Sequence, residues 1–171
     1  TGGLGHIGSY ILQNINKIKI IKKIYIIDDL STQRYSSLFG LKNSNKKIYF
    51  LQKDLSKKDA LKNFTKVDVV LNLASITDAT ESLKFKRRIY KINLGIFDNI
   101  LKYCKKNSSK LIHISSTSVY GEQKGLINEM CQNLRPKSPY AEIKVIEERK
   151  LKSMKKQIKF ISYRFGTISG F

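Results

Sequence analysis

Thr1-Gly2-Gly3-Leu4-Gly5-His6-Ile7-Gly8 opens the chain, and its reading governs that of every later stretch. Gly2, Gly5 and Gly8 follow a GxxGxxG spacing, and Ile7, Ile11, Leu12 and Ile15 continue at helical intervals through Ser9 to Asn16. This predicts a strand-to-helix turn. Glycine suits such a turn because the backbone must bend sharply, let a pyrophosphate come close, and then pack a helix on a sheet; the helix N-terminus favours the phosphate charge. A glycine pattern alone also fits a plain flexible turn, so the neighbouring stretches have to decide.

The first of these runs from Lys23 to Asp29, where Ile24, Tyr25, Ile26 and Ile27 form a short apolar run ending in Asp28-Asp29. It reads as a buried strand. A dinucleotide fold places an acidic residue about 20 positions after its glycines, where the carboxylate accepts hydrogen bonds from the adenosine ribose. Asp28 falls there. Its charge repels a 2'-phosphate, which favours NAD over NADP, although Arg34 nearby pulls the other way.

Further along, Ser31 to Asn45 is a polar loop with one short helix around Tyr35 to Leu41. Lys47 to Leu51 reads as a strand, followed by Asp54-Leu55 and a helix near Lys57 to Phe64. Val67 to Ala74 is a further buried strand whose small-residue exit, Ala74-Ser75, lets a cofactor lie close. A helical pattern from Thr80 to Lys106 aligns Ile89, Ile92, Ile96, Ile100 and Tyr103, with Asn93 placed to satisfy a buried hydrogen bond. Gly95 within it costs about 1 kcal/mol relative to Ala, which implies close packing on a neighbour. Lys110 to Ile114 is a strand ending in Ser115-Ser116-Thr117-Ser118-Val119-Tyr120-Gly121, with His113 in a structural role. The polar loop from Gly121 to Lys137 is long enough to be functional, and Gln157 to Tyr163 returns as a strand. Alternating strand and helix implies a parallel sheet with right-handed crossovers.

Ser138-Pro139-Tyr140-Ala141-Glu142-Ile143-Lys144 carries the reactive chemistry. Ser138 caps and Pro139 opens a helix reaching about Lys156, and a phenol and an amine four residues apart lie on one face of it. An ammonium beside a tyrosine hydroxyl favours the phenolate, so Tyr140 becomes able to move protons.

The 171 residues suffice for one layered domain. The formal charge of +20 raises nucleic acid or an anionic membrane as partners. The lysines, however, are spread along the chain, alternate with isoleucines as in Lys17 to Ile24, and travel with many asparagines, a mix expected of an AT-rich genome. Neither partner is therefore expected. Cys104 and Cys131 lack metal-ligand or disulfide-framework spacing, so no metal is expected and the chain reads as reducing and cytosolic. No apolar run is long enough to cross a bilayer.

Taken together, TGGxGxIG, the acidic strand end, SSxSVYG, YxxxK and the final RFGTxxG resemble the extended short-chain dehydrogenase/reductase family, in its NAD-dependent sugar-nucleotide epimerase/dehydratase branch. The resemblance spans the whole chain and implies an α/β fold, a Rossmann-type doubly wound parallel sheet. It puts cofactor contacts on Gly2, Gly5, His6, Ile7 and Gly8 at the pyrophosphate, Asp28 and Asp29 at the adenosine, and Asp54 and Leu55 at the adenine. Leu73, Ala74 and Ser75 fall along the cofactor's edge, with Asn93 behind them. Ser116 matches the family's catalytic hydroxyl, Tyr140 its general base, and Lys144 the residue that binds the nicotinamide ribose and lowers the tyrosine pKa. Phe is common where this chain has His6, and the imidazole is not read as catalytic.

The implied activity oxidises a hydroxyl of a nucleotide sugar to a keto intermediate and returns hydride. The family's 4,6-dehydratases carry Asp-Glu directly after the catalytic hydroxyl, whereas this chain has Thr117-Ser118, which favours epimerisation over elimination. Dehydratase, keto-sugar reductase and non-catalytic dinucleotide-binding module stay as alternatives. Family members also have a strand before the glycine turn and a C-terminal substrate domain, so residues 1–171 are expected to be an NAD(P)-binding Rossmann domain incomplete at both ends, poorly folded and inactive alone. A homodimer through the two long helices is implied for the full-length protein.

Overall fold

Strands form where isoleucine, valine and aromatic residues cluster. In the computed structural model, which describes residues 1–39, 41, 44–77 and 85–168, they are β1 (Lys23–Asp28), β2 (Lys47–Gln52), β3 (Val69–Asn72), β4 (Lys110–Ser116) and β5 (Phe160–Phe165). The helices are α1 (His6–Gln13), α2 (Lys86–Asn107) and α3 (Pro139–Ser153). β1 pairs in parallel with β2, Ile26 opposite Phe50, and β4 lies between β3 and β5, parallel to both. A helix or long connection separates each pair, as parallel strands require.

β1 and β3 share no ladder among the described residues. Thr1 and Gly2 lie between their C-terminal ends instead. The Gly2 amide donates to the Ile27 carbonyl at 2.8 Å, the Thr1 amino group to the Leu71 carbonyl at 2.9 Å, and the Leu73 amide to the Thr1 carbonyl at 3.0 Å. Side chains then alternate across β1. Ile26 packs with Leu4 and Leu12 of the α1 side, whereas Ile27 joins Val70, Phe97, Ile100, Leu111 and Leu151 under α2 and α3. Apolar layers on both faces make the sheet doubly wound.

The boundaries differ from the expected ones in instructive places. α1 begins at His6, because the turn is completed within the glycines, and ends in a 3-10 turn at Ile15–Lys17. The helix expected near Tyr35 to Leu41 is a 3-10 turn, Tyr35–Leu38. Thr80 to Lys84 at the start of the expected long helix, and Ser169 and Gly170 of the final motif, lie outside the described residues.

The helix expected near Lys57 to Phe64 is not formed. The connection runs as successive tight turns, with Asp59 at φ +54°. The cause is Asn99 of α2, whose amide donates to the carbonyls of Leu55 at 2.8 Å and Lys57 at 2.7 Å. Those carbonyls are drawn toward α2 instead of along a helix axis. Gly95 accounts for the close approach, since a Cβ there would lie 3.1 Å from the Ser56 carbonyl oxygen.

Candidate active site

The glycine turn is compressed against both its own helix and the exit of β3. A Cβ at Gly8 would meet the Gly3 carbonyl oxygen at 2.3 Å, and one at Gly2, where φ is +61°, would meet the Ala74 amide at 2.6 Å. No side chain fits at either position. The turn therefore presents backbone, and His6, Ile7 and Gly8 occupy the first turn of α1, where helix amides have no intrahelical partner. Such a cradle fits a pyrophosphate.

Asp28 at the end of β1 ties this turn down. Its carboxylate accepts from the Leu4 amide at 3.1 Å and from the Leu30 amide at 3.0 Å, and each oxygen retains capacity for a further donor such as a ribose hydroxyl. Asp29 is exposed and accepts from the Ser31 amide at 2.9 Å. Asp54 accepts from the hydroxyl of Ser56 at 2.6 Å, which holds its carboxyl below the usual range despite some burial. The Leu55 side chain belongs to the core. Leu73, Ala74 and Ser75 lie beside the glycine turn, and Asn93, buried in α2, accepts from the Ile76 amide at 2.8 Å and donates to its carbonyl at 3.0 Å. Asn93 thus fixes the segment leaving β3.

Ser116 ends β4 on the same side of the sheet, because β3 and β4 run parallel. Its hydroxyl accepts from the Ser118 amide at 3.1 Å and lies 2.8 Å from the Ser118 hydroxyl. The 3-10 turn Thr117–Val119 packs against α3, which begins as expected: Ser138 Oγ accepts from the Ala141 amide at 3.2 Å and Pro139 follows. Tyr140 occupies the first turn of α3. Lys144 follows one turn on, its ammonium 5.5 Å from the centre of the Tyr140 ring.

Lys144 is buried, and its ammonium donates to Glu147 Oε2 at 2.8 Å. The same oxygen receives His113 Nε2 at 2.9 Å, and His113 Nδ1 lies 2.8 Å from Ser162 Oγ. A carboxylate only accepts, so the imidazole carries its proton on Nε2 toward Glu147. Burial alone would raise the Glu147 carboxyl, but the Lys144 ammonium and the His113 hydrogen bond hold it below the usual range. Next to it, Glu148 accepts from Ser115 Oγ at 2.7 Å and is bound twice by Arg164, at 2.9 Å and 2.7 Å. The Arg164 guanidinium also lies 4.9 Å from the centre of the Tyr120 ring and donates to the Glu129 carbonyl, tying the 121–137 loop to β5.

One expectation needs correction. The Tyr140 phenol is not brought below its ordinary value of 10: burial pushes it up, Lys144 pulls it down, and the negative charge of Glu147 adds to the upward push. Lys144 acts in the expected sense, yet its charge is shared with Glu147.

Glu147, Glu148 and Arg164 were not among the expected site residues. Their signal lay in two periodicities: polar His113 and Ser115 alternate on β4, opposite Ser162 and Arg164 on β5, while Lys144, Glu147 and Glu148 fall on one face of α3. Neither pattern means much until the helix is laid on the strands.

A backbone cradle for a pyrophosphate, an acidic strand end, a serine closing β4, and a tyrosine and lysine one turn apart at the start of α3 agree with the extended short-chain dehydrogenases/reductases, to which the chain belongs. Within them it belongs to the NAD dependent epimerase/dehydratase family, whose model matches residues 1–170. It is similar to an uncharacterized UDP-glucose epimerase of Bacillus subtilis, 30% identical over 99% of this chain and 56% of that protein. In structure it is similar to the UDP-N-acetylglucosamine 4-epimerase of Methanobrevibacter ruminantium, with TM-score 0.83 and 30% identity over 95% of this chain and 52% of that one. The UDP-glucuronic acid 4-epimerase of Bacillus cereus, in complex with NAD, matches with TM-score 0.83 and 27% identity over 99% of this chain and 56% of that one. The chain thus spans about half the length of these relatives. Among the described residues no helix is long and apolar enough to cross a membrane.

Proposed function

We propose that the protein is an NAD-dependent sugar-nucleotide epimerase. Support comes from Tyr140 and Lys144 one turn apart at the start of α3, from Ser116 at the end of β4, whose following turn packs on that helix, and from the glycine turn whose steric closure leaves only backbone for a pyrophosphate. Gly2, Gly5, His6, Ile7 and Gly8 would hold the diphosphate, Asp28 the adenosine ribose, and Lys144 the nicotinamide ribose. When bound, NAD supplies the hydride acceptor and donor. In its ionised fraction, which Lys144 favours and which grows toward alkaline pH, Tyr140 takes the proton of a sugar hydroxyl, and Ser116 holds the same oxygen by hydrogen bonding. Tyr140 returns the proton once hydride has come back to the opposite face of the carbon. Thr117-Ser118 supplies no acid–base pair for elimination of water, and the solved structures named above are of 4-epimerases.

The test is product analysis with the full-length protein, NAD and UDP-sugars, where an epimer is expected. A 4-keto-6-deoxy product would make it a dehydratase. A Tyr140→Phe variant should lose turnover by about 10²- to 10⁴-fold while retaining NAD binding by calorimetry. Unchanged turnover would remove Tyr140 from the role of base, and NAD binding without turnover in the parent and the variant alike would leave a binding module.

A further inference from the structure

The lysines that are scattered in sequence are gathered by the fold. Because all strands pair in parallel, their starts share one pole, opposite the glycine turn and Ser116. Lys23, Lys47 and Lys110 open β1, β2 and β4, and Lys66 and Lys159 lie just before β3 and β5. The end of α2 adds Lys105 and Lys106, and the α3–β5 connection adds Lys155 and Lys156. All are exposed, and the acidic residue among these strand starts is Asp68. Among the described residues every ion pair lies elsewhere, so none of these lysines is paired with a carboxylate and Asp68 offsets one charge among many.

The connection from α1 to β1 supplies a second, independent observation. Lys17-Ile18-Lys19-Ile20-Ile21-Lys22 carries Ile20 at 88% exposure and Ile18 at 42%, framed by exposed lysines. An aliphatic tip within a ring of ammonium groups matches a surface with phosphates outside and an apolar layer beneath. Nucleic acid offers the phosphates without that layer. The strand starts also lack arginine, and the nearby Tyr25 and Tyr49 stack on each other, centroids 5.1 Å apart, with Lys23 beside both rings.

We propose that this pole docks the protein on an anionic phospholipid surface, the lysines facing headgroup phosphates and Ile20 entering the acyl boundary. The cofactor end then points away from the bilayer, into solution. The test is co-sedimentation of the full-length protein with vesicles of phosphatidylcholine containing roughly a third phosphatidylserine, against phosphatidylcholine alone. Binding is expected only to the anionic vesicles, and it should weaken at least about tenfold when salt rises from about 0.1 M to 0.5 M. A Lys19→Glu/Lys22→Glu/Lys23→Glu variant should lose it, Ile20→Ser should weaken it several-fold at unchanged charge, and Lys57→Glu/Lys58→Glu at the other end of β2 should keep it. No binding to anionic vesicles, indifference to Ile20→Ser, or tighter binding to duplex RNA than to the vesicles would overturn the proposal.

Discussion

Lys144 divides one positive charge between a phenol it can activate and a carboxylate that competes for it. Because Glu147 raises the Tyr140 pKa, neutralising it should lower that pKa. In Glu147→Gln the alkaline rise of kcat with pH is therefore expected at lower pH than in the parent protein, as read from pH–rate profiles. Breaking the buried pair should also cost stability, about 3–5 kcal/mol, so the profile is needed to separate tuning from unfolding. A profile that does not move would reduce Glu147 to a packing role. Ser116, Tyr140 and Lys144 were legible from the sequence because identity and spacing carry their meaning. Glu147 was not: a glutamate near a lysine reads the same in sequence whether it faces solvent or the buried imidazole of His113, whose structural role was expected.

At the level of elements, periodicity found the strands and α3, while tertiary hydrogen bonds overrode it between β2 and β3. Lys57 to Phe64 has the composition of a helix, yet Asn99, far along the chain, holds the carbonyls of Leu55 and Lys57 toward α2, and the segment settles into tight turns. Asn99→Ala should strand the Leu55 carbonyl, at about 1–3 kcal/mol if it stays dry, while the Lys57 carbonyl keeps the Ala60 amide at 3.3 Å. A lower midpoint at unchanged slope in urea unfolding would record this. The dock of α3 on β4 and β5 is ionic as well as apolar. Glu148 is held below the ordinary glutamate value of 4.5 by Arg164 and Ser115, which outweigh burial. A depressed carboxyl stabilises fully above its unfolded pKa, and the contribution is lost as pH falls below about 4.5 through the folded value. Arg164→Leu should destabilise by about 3–5 kcal/mol, while Arg164→Leu with Glu148→Leu should recover most of that and flatten the acid loss. Thermal melts between neutral and acid pH compare the three proteins.

For the molecule as a whole, the join between β1 and β3 is the place without a ladder, spanned by the backbone of Thr1 and Gly2 and by the packing of Ile27 with the core around Val70. Strand edges left unpaired on both sides of a seam weaken cooperativity, so residues 1–171 expressed alone should give no sharp melt by circular dichroism; a single cooperative transition with measurable NAD affinity would refute this. The doubly wound architecture was legible because strand and helix alternate, whereas the lysine pole was not, since it exists only once parallel strands align their starts. The charged ladder beneath α3 also has an evolutionary consequence. His113 and Ser115, the two glutamates, and Ser162 and Arg164 come from three separate stretches of chain, so a recombination crossover between residues 116 and 139 hands the helix and β5 a β4 inherited from another parent. Shuffled libraries built with homologous genes should be depleted in viable progeny at that crossover unless the donor brings hydrogen-bond partners matching His113 and Ser115, making helix and strands one unit of inheritance.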